Sequence, residues 1–212
     1  MEQSQELYDA IVSGNAKAAH AATKAALETG ADPMALIAST MIPAMDAVGK
    51  LFEEEEYFVP ELLLAGRAMK SAMELLRPLM AASGEKLAAK IVIGTVKGDL
   101  HDIGKNLVAS MLEGSGFDVI DLGIDVAPEK FVAAVNELQP QIVCMSALLT
   151  VTMPSMKATI EALTAAGVRN NVKVMIGGAP VTRQYANEIG ADGYSENANT
   201  AVALVRTLLA AA

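Results

Sequence analysis

Residues 91–106 read Ile91-Val92-Ile93-Gly94-Thr95-Val96-Lys97-Gly98-Asp99-Leu100-His101-Asp102-Ile103-Gly104-Lys105-Asn106. A β-branched run opens the stretch, a loop bracketed by Gly98 and Gly104 follows, and a helix is predicted over about 104–114. The same order recurs downstream. Short apolar runs at Phe117-Asp118-Val119-Ile120, Ile142-Val143-Cys144-Met145 and Val172-Lys173-Val174-Met175-Ile176, and a weak run near Asp192-Gly193-Tyr194, alternate with amphipathic stretches near 128–138, 153–166, 181–189 and 198–210. Strand and helix in strict alternation predict a five-stranded parallel sheet covered by helices on both faces, an α/β doubly wound fold. Ligands of such sheets bind at the carboxyl ends of the strands.

Upstream the rhythm differs. Residues 1 to about 85 are rich in Ala, Met and Leu, which is helix-former composition, and strands are not expected there. Asp32-Pro33 supplies an N-cap followed by Pro at the first helical position, and Gly30 suits the C′ position of the helix before it. Ile37, Met41, Met45, Val48 and Phe52 recur three or four apart, as do Leu62, Leu63, Ala65, Met69, Met73 and Leu76, so each helix has one buried stripe. Four helices are predicted, roughly 3–13, 15–29, 33–53 and 60–82, with Pro43 and Pro60 near a kink or a start. Ser83-Gly84-Glu85 reads as a short linker, which divides the chain into a helical bundle over 1–86 and the α/β region over 87–212. No internal repeat or heptad run is present, and the acidic run Glu53 to Glu56 reads as a solvated loop.

The 212 residues carry 16 Lys and Arg against 25 Asp and Glu, a formal net charge of -9 with a pI near 4.7. That balance argues against nucleic acid as a partner. Although 52% of residues are hydrophobic, no stretch approaches the roughly 18 uncharged apolar residues of a membrane helix, and the first 20 residues include acids rather than a basic leader. A cytoplasmic protein with no membrane partner is expected. Cys144 is the single cysteine, and His20 and His101 are the only histidines. A closed Cys/His zinc site cannot be assembled from that set.

The candidate chemistry lies at three strand ends. In the loop after the first strand, an imidazole two residues from a carboxylate can be oriented by it while the other ring nitrogen points to a ligand. The same loop also describes a helix N-terminus, with Asp99 or Asp102 as the cap and His101 on the surface. The third strand ends in Ser146-Ala147-Leu148-Leu149-Thr150-Val151-Thr152, which places three hydroxyls beside the switch point if the strand order is 2-1-3-4-5. The fourth ends in Ile176-Gly177-Gly178-Ala179-Pro180, where bare backbone lets a ligand lie close; a Cβ at either glycine is expected to project into the space of that ligand. Together these ends describe an elongated ligand that needs a narrow slot and one coordinating imidazole.

Asp99-x-His101-x-x-Gly104, Ser146-x-Leu148 and Gly177-Gly178, in this order behind a helical segment, closely resemble the cobalamin-binding module of methyltransferase corrinoid proteins and of cobalamin-dependent methionine synthase. The match covers nearly the whole chain. The resemblance implies a four-helix bundle cap ahead of a flavodoxin-like domain that binds cobalamin with its dimethylbenzimidazole tail detached from cobalt and buried in the slot. It makes His101 the cobalt ligand, Asp99 the partner of its other nitrogen, and Thr152 the counterpart of a serine that completes a proton relay. Gly98, Leu100, Asp102, Ile103 and Gly104 become cofactor-binding with the rest of the loop. Ser146, Leu148 and Thr150 would contact the tail, Gly177 and Gly178 flank it, and Asn197 and Ala198 approach its far end. Phe52-Glu53-Glu54-Glu55-Glu56-Tyr57-Phe58-Val59-Pro60-Glu61-Leu62 resembles the family's cap segment, which puts Phe52, Val59 and Leu62 over the upper corrin face; the same three also read as bundle core. The chain departs from the family pattern at Thr152, where serine is common, and at Val151, where better-known members have proline.

What the resemblance implies of function is a methyl carrier, not an enzyme on its own. Its cofactor would cycle between methylcobalamin and cob(I)alamin, the cofactor carrying the chemistry and the protein tuning it. Its partners would be a donor-specific methyltransferase, a second methyltransferase with an acceptor such as tetrahydrofolate or coenzyme M, and a reductive activator. Methanol, methylamines, betaines and methoxylated aromatics are all served by similar carriers. Two alternatives share the modules: a cobalamin-dependent sensor or regulator, for which the chain has neither the length nor the basic charge of an added DNA-binding domain, and the small subunit of a mutase, against which the helical segment with Phe52 argues.

Overall fold

A computed structural model describes residues 2–83 and 87–211; Gly84 and Glu85 of the expected linker lie outside them. The chain forms two compact units, one running to Ala88 and including Ser110–Phe117, the other comprising Ala89–Ala109 and Asp118–Ala212.

In the first unit α1 spans Glu2–Val12, α2 Ala16–Glu28, α3 Pro33–Leu36, α4 Ile42–Glu53 and α5 Val59–Ser83. A π-helical turn, Ile37–Met41, joins α3 to α4, so the expected helix over 33–53 is continuous. Asp32 caps it by accepting the Ala35 N–H at 2.7 Å, and Gly30 beyond α2 takes φ +84. Pro43 supplies the cause of the π turn: with no N–H to give, it cannot bond the carbonyl four residues back, and just upstream the Ile42 N–H reaches Ile37 instead. Ile37, Met41, Met45, Val48, Leu62, Ala65, Met69, Met73 and Leu76 are all buried, each large one contributing roughly 1.5–3 kcal/mol. Pro33–Glu53 holds no run of 18 uncharged residues, as expected, because Asp46 and Lys50 interrupt it. Its 21 residues, mean hydropathy 1.3, are long and apolar enough by length and composition to cross a membrane, once Asp46 and Lys50 are tolerated; its apolar stripe is a core stripe.

In the second unit five strands, β1 Lys90–Thr95, β2 Asp118–Asp121, β3 Ile142–Ser146, β4 Lys173–Gly177 and β5 Gly193–Tyr194, alternate with α6 Ile103–Gly114, α7 Pro128–Leu138, α8 Pro154–Ala165, α9 Arg183–Ile189 and α10 Ala198–Ala210. All pairs are parallel and the order is β2-β1-β3-β4-β5, as the doubly wound reading expects. Val92, Val143 and Val174 are fully buried within one apolar core that also holds Phe131, Met145 and Met156, which is why the central strands read as unbroken apolar runs. Thr95 pairs with Ser146 and Ser146 with Gly177. The three loops singled out in the sequence therefore leave the sheet from a single row.

Candidate functional site

Beyond β1 the chain turns at Gly98, whose φ of +86 favours glycine, and carries Asp99 into the interior, 0% exposed. That buried carboxylate collects five bonds. Its Oδ1 lies 2.6 Å from His101 Nδ1 and accepts the His101 N–H at 3.1 Å. Its Oδ2 accepts the Leu148 N–H at 2.8 Å, the Leu149 N–H at 3.3 Å and the Thr152 hydroxyl at 2.7 Å. Burial pushes the Asp99 carboxyl up, but the Thr152 hydroxyl, the Leu148 amide and the two His101 bonds outweigh it and hold the group well below the usual carboxylate range. An ionised carboxylate only accepts, so the proton between the two side chains belongs to Nδ1, and in the neutral imidazole the lone pair is then on Nε2. The Thr95 hydroxyl fixes the loop further by donating to the His101 carbonyl at 2.8 Å. His101 is thus held on one side and displayed on the other, its side chain 49% exposed.

The loop after β3 supplies the third member. Thr152, buried at the foot of α8, lies 2.7 Å from Asp99 and 2.8 Å from the Leu149 carbonyl; its single proton serves one at a time. Threonine at this position thus reaches Asp99 with the hydroxyl a serine would offer. Ser146 is half-buried and Thr150 exposed, and among the described residues neither hydroxyl bonds to the protein. Val151 stands 81% exposed.

The fourth strand end differs from expectation. A Cβ at Gly178 would not enter a slot: with φ +128 it would stand 1.9 Å from the Ala147 carbonyl oxygen, and at Gly177 it would stand 3.0 Å from the Ser195 carbonyl oxygen. Neighbouring backbone demands the glycine at Gly178, whereas at Gly177 a Cβ would be a tight fit. Asn197 and Ala198 begin α10, where the Asn197 side chain accepts the Thr200 N–H at 2.9 Å in a capping box, and Ala198 is buried. In the helical unit Phe52 is half-buried, Val59 is 41% exposed beside Phe58 at 61%, and Leu62 is wholly buried. The acidic run is exposed, as its composition predicts.

Around His101 the surface is apolar. Leu100, Ile103, Ile124, Leu148, Leu149 and Val151 are all the exposed large apolar side chains of the second unit among the described residues, and each lies on a loop or helix start at the strands' carboxyl ends. Exposed apolar residues gathered in one place mark a binding surface. Gly104, beside them, has open space where a Cβ would stand. Among the described residues no three His, Cys, Asp or Glu gather to hold a bare metal ion. One free imidazole nitrogen in an apolar surround instead fits a metal that arrives inside its own flat ring of ligands, which is the donor chemistry of a corrinoid.

Two supports were not visible in the sequence. The Leu149 amide joins Leu148 on Asp99, and Asp125, 26 residues beyond Asp99 by the numbering, accepts the Gly98 N–H at 2.7 Å. Neither has a motif signal, because each depends on where a separate strand ends.

Comparison with known proteins agrees with this geometry. Residues 89–203 match a B12 binding domain model, and residues 3–77 match a second B12 binding domain model. The chain is 48% identical over 186 residues to trimethylamine corrinoid protein 2 of Methanosarcina mazei, covering 87% of this chain and 85% of that one. It is 43% identical over 207 residues to dimethylamine corrinoid protein 1 of Methanosarcina acetivorans, covering 97% of each. Among solved structures it resembles the methanol:cobalamin methyltransferase complex from Methanosarcina barkeri, with a TM-score of 0.89, 30% identity and coverage of 100% of this chain and 81% of that one. A cobalamin-binding protein from Desulfitobacterium hafniense aligns with a TM-score of 0.77 at 37% identity, covering 98% and 97%. A single buried carboxylate presenting one imidazole, on a sheet matched along nearly its full length, places the chain in the corrinoid proteins of cobalamin-dependent methyltransferase systems, with cobalamin as its cofactor.

Proposed function

We propose that the chain is a cytoplasmic methyl carrier that binds cobalamin with the tail detached from cobalt and His101 Nε2 as the lower axial ligand. The observation that carries this reading is the 2.6 Å approach of His101 Nδ1 to the buried Asp99, which commits one ring nitrogen to the protein and leaves the other for a ligand. When bound, cobalamin supplies a cobalt centre able to take up and release a methyl group. The chain's own residues orient it: Asp99 sets the imidazole direction, Thr152 and the Leu148 amide hold Asp99 ionised, and the exposed apolar side chains at the strand ends offer a surface for the flat macrocycle. Ser146 and Thr150 offer unpartnered hydroxyls to the tail.

The methyl donor would come through a separate methyltransferase, and the names of the relatives favour a methylamine as its substrate. A second methyltransferase would pass the group to an acceptor such as tetrahydrofolate or coenzyme M, with a reductive activator as third partner. The test is electron paramagnetic resonance of the protein reconstituted with cobalamin and reduced to Co(II). A nitrogen superhyperfine pattern that changes when the protein is labelled with [15N]histidine is expected. A pattern indifferent to that label removes His101 as the ligand.

A further inference from the structure

The loop between β2 and α7 crosses beside the His101 loop and is itself firmly anchored. Its Gly123 carbonyl accepts the Thr95 N–H at 3.0 Å, its Val126 N–H donates to the Thr95 carbonyl at 2.9 Å, and Asp121 at its start is paired with the buried Lys105. Within that frame Asp125 adopts a left-handed backbone, φ +51, which Asp and Asn tolerate better than most residues. From there it bonds twice to the same short segment: its Oδ1 accepts the Gly98 N–H at 2.7 Å, and its own N–H donates to the Asp99 carbonyl at 3.0 Å.

We propose that Asp125 is a positioning residue for His101, acting through the Gly98–Asp99 segment it brackets. The inference rests on the reading of His101 as the cobalt ligand. The β3 loop holds the Asp99 side chain, through Leu148, Leu149 and Thr152, whereas Asp125 holds the backbone that delivers that side chain. Gly98 has no Cβ to resist rotation, and the nearest atom a Cβ would meet is 3.6 Å away, so side-chain packing does not fix its orientation. The Asp125 carboxylate does. With it gone, the Gly98 N–H loses its acceptor and the segment's backbone keeps the Asp99 N–H bond to the Val96 carbonyl at 3.1 Å and the Asp125 N–H bond to the Asp99 carbonyl at 3.0 Å. The peptide into Gly98 can then turn, Asp99 shifts with it, and the imidazole two residues on turns away from the direction that serves a metal at its Nε2.

The experiment compares wild type, Asp125→Gly and Asp125→Asn, each reconstituted with cobalamin and reduced to Co(II), by the [15N]histidine-sensitive superhyperfine pattern, by cobalamin affinity, and by thermal unfolding of the cofactor-free protein. Glycine removes the acceptor while accepting the left-handed backbone and keeping the N–H; asparagine keeps an acceptor oxygen. Asp125→Gly is expected to fold and bind cobalamin with the ratio of coordinated to uncoordinated imidazole lowered about fivefold, and Asp125→Asn to stay within about twofold of wild type, as one hydrogen bond lost or kept predicts. Wild-type coordination in Asp125→Gly overturns the proposal, as does a loss in Asp125→Asn equal to that in Asp125→Gly. Failure of Asp125→Gly to fold assigns the residue to the fold alone and also overturns it. If wild type itself shows no histidine-dependent pattern, the His101 reading fails and the proposal falls with it, a result separable from the others because it precedes any substitution.

Discussion

The loops after β1 and β4 leave the sheet from one row, Thr95, Ser146 and Gly177, yet they are built on opposite principles. The β1 loop is fixed by polar bonds to a single buried carboxylate. The β4 loop is fixed by the absence of side chains, since any Cβ at Gly178 meets the Ala147 carbonyl. The first kind of loop presents a group and can lose it with the sheet intact. The second kind is part of the sheet's closure, and its glycine cannot be separated from folding. Two sites that read alike in sequence, as ligand-facing strand ends, therefore differ in what a substitution does to them.

The largest effect is expected at Gly178. Gly178→Ala and Gly178→Leu should both lose about 4 kcal/mol or fail to fold, since a non-glycine residue at φ +128 is strained and the collision at 1.9 Å involves the first side-chain atom. Urea unfolding of the cofactor-free variants measures this. If alanine were harmless and leucine alone lost cobalamin, the β4 loop would be a slot after all, and the contrast between the loops would collapse.

Asp99→Ala comes next, at about 3 kcal/mol, because it strands the Leu148 and Leu149 amides, while the Thr152 hydroxyl keeps the Leu149 carbonyl as its acceptor. Its pH signature follows from the direction of the shift. A carboxylate held below its unfolded value contributes stability that is present above that value, about 3.9, and is lost as pH falls through it toward the lower folded one. The gap between wild type and Asp99→Ala should thus be full at pH 7 and begin to close below about pH 4. Acid titration of both unfolding curves checks it, and a gap independent of pH would mean Asp99 acts through packing alone.

How far the sequence reached follows the same division. The helix start at Asp32-Pro33 and the strand runs were legible because they rest on local chemistry and period, whereas the strand order, taken in the sequence only as a condition, is supplied by the sheet itself. The pairing of Asp99 with His101 was legible because the partners lie two residues apart. What escaped was non-local. Nothing in Gly177-Gly178 says that Ala147 stands beside it, nothing in Asp125 says that Gly98 does, and the π turn at Ile37–Met41 needed the backbone to be seen.

Thr152 sharpens the comparison at smaller scale. Thr152→Ser keeps the hydroxyl and should change stability by less than about 1 kcal/mol, whereas Thr152→Val keeps the shape, leaves Asp99 Oδ2 one donor short and should cost about 1.5 kcal/mol. The two are compared by chemical denaturation at pH 7. Equal losses in both would place the value of Thr152 in its methyl group and take it out of the Asp99 network.

The smallest effect on the fold from a lost bond, and the one that most divides display from support, is expected at His101. Its side chain is 49% exposed and makes one bond to Asp99, while the four other bonds to that carboxylate, and the Thr95 bond to the His101 carbonyl, do not need an imidazole, although one is lent by the His101 backbone. His101→Ala removes one donor from the buried Asp99 carboxylate but only a half-exposed side chain, and should cost about 1 kcal/mol, while the histidine-dependent superhyperfine pattern disappears. Cobalamin should still bind, more weakly, through contacts that the tail makes elsewhere. Unfolding and cobalamin titration on one preparation measure both quantities. A large stability loss in His101→Ala would make the imidazole a structural member of the Asp99 cluster, and the β1 loop would then resemble the β4 loop in the one respect that sets them apart.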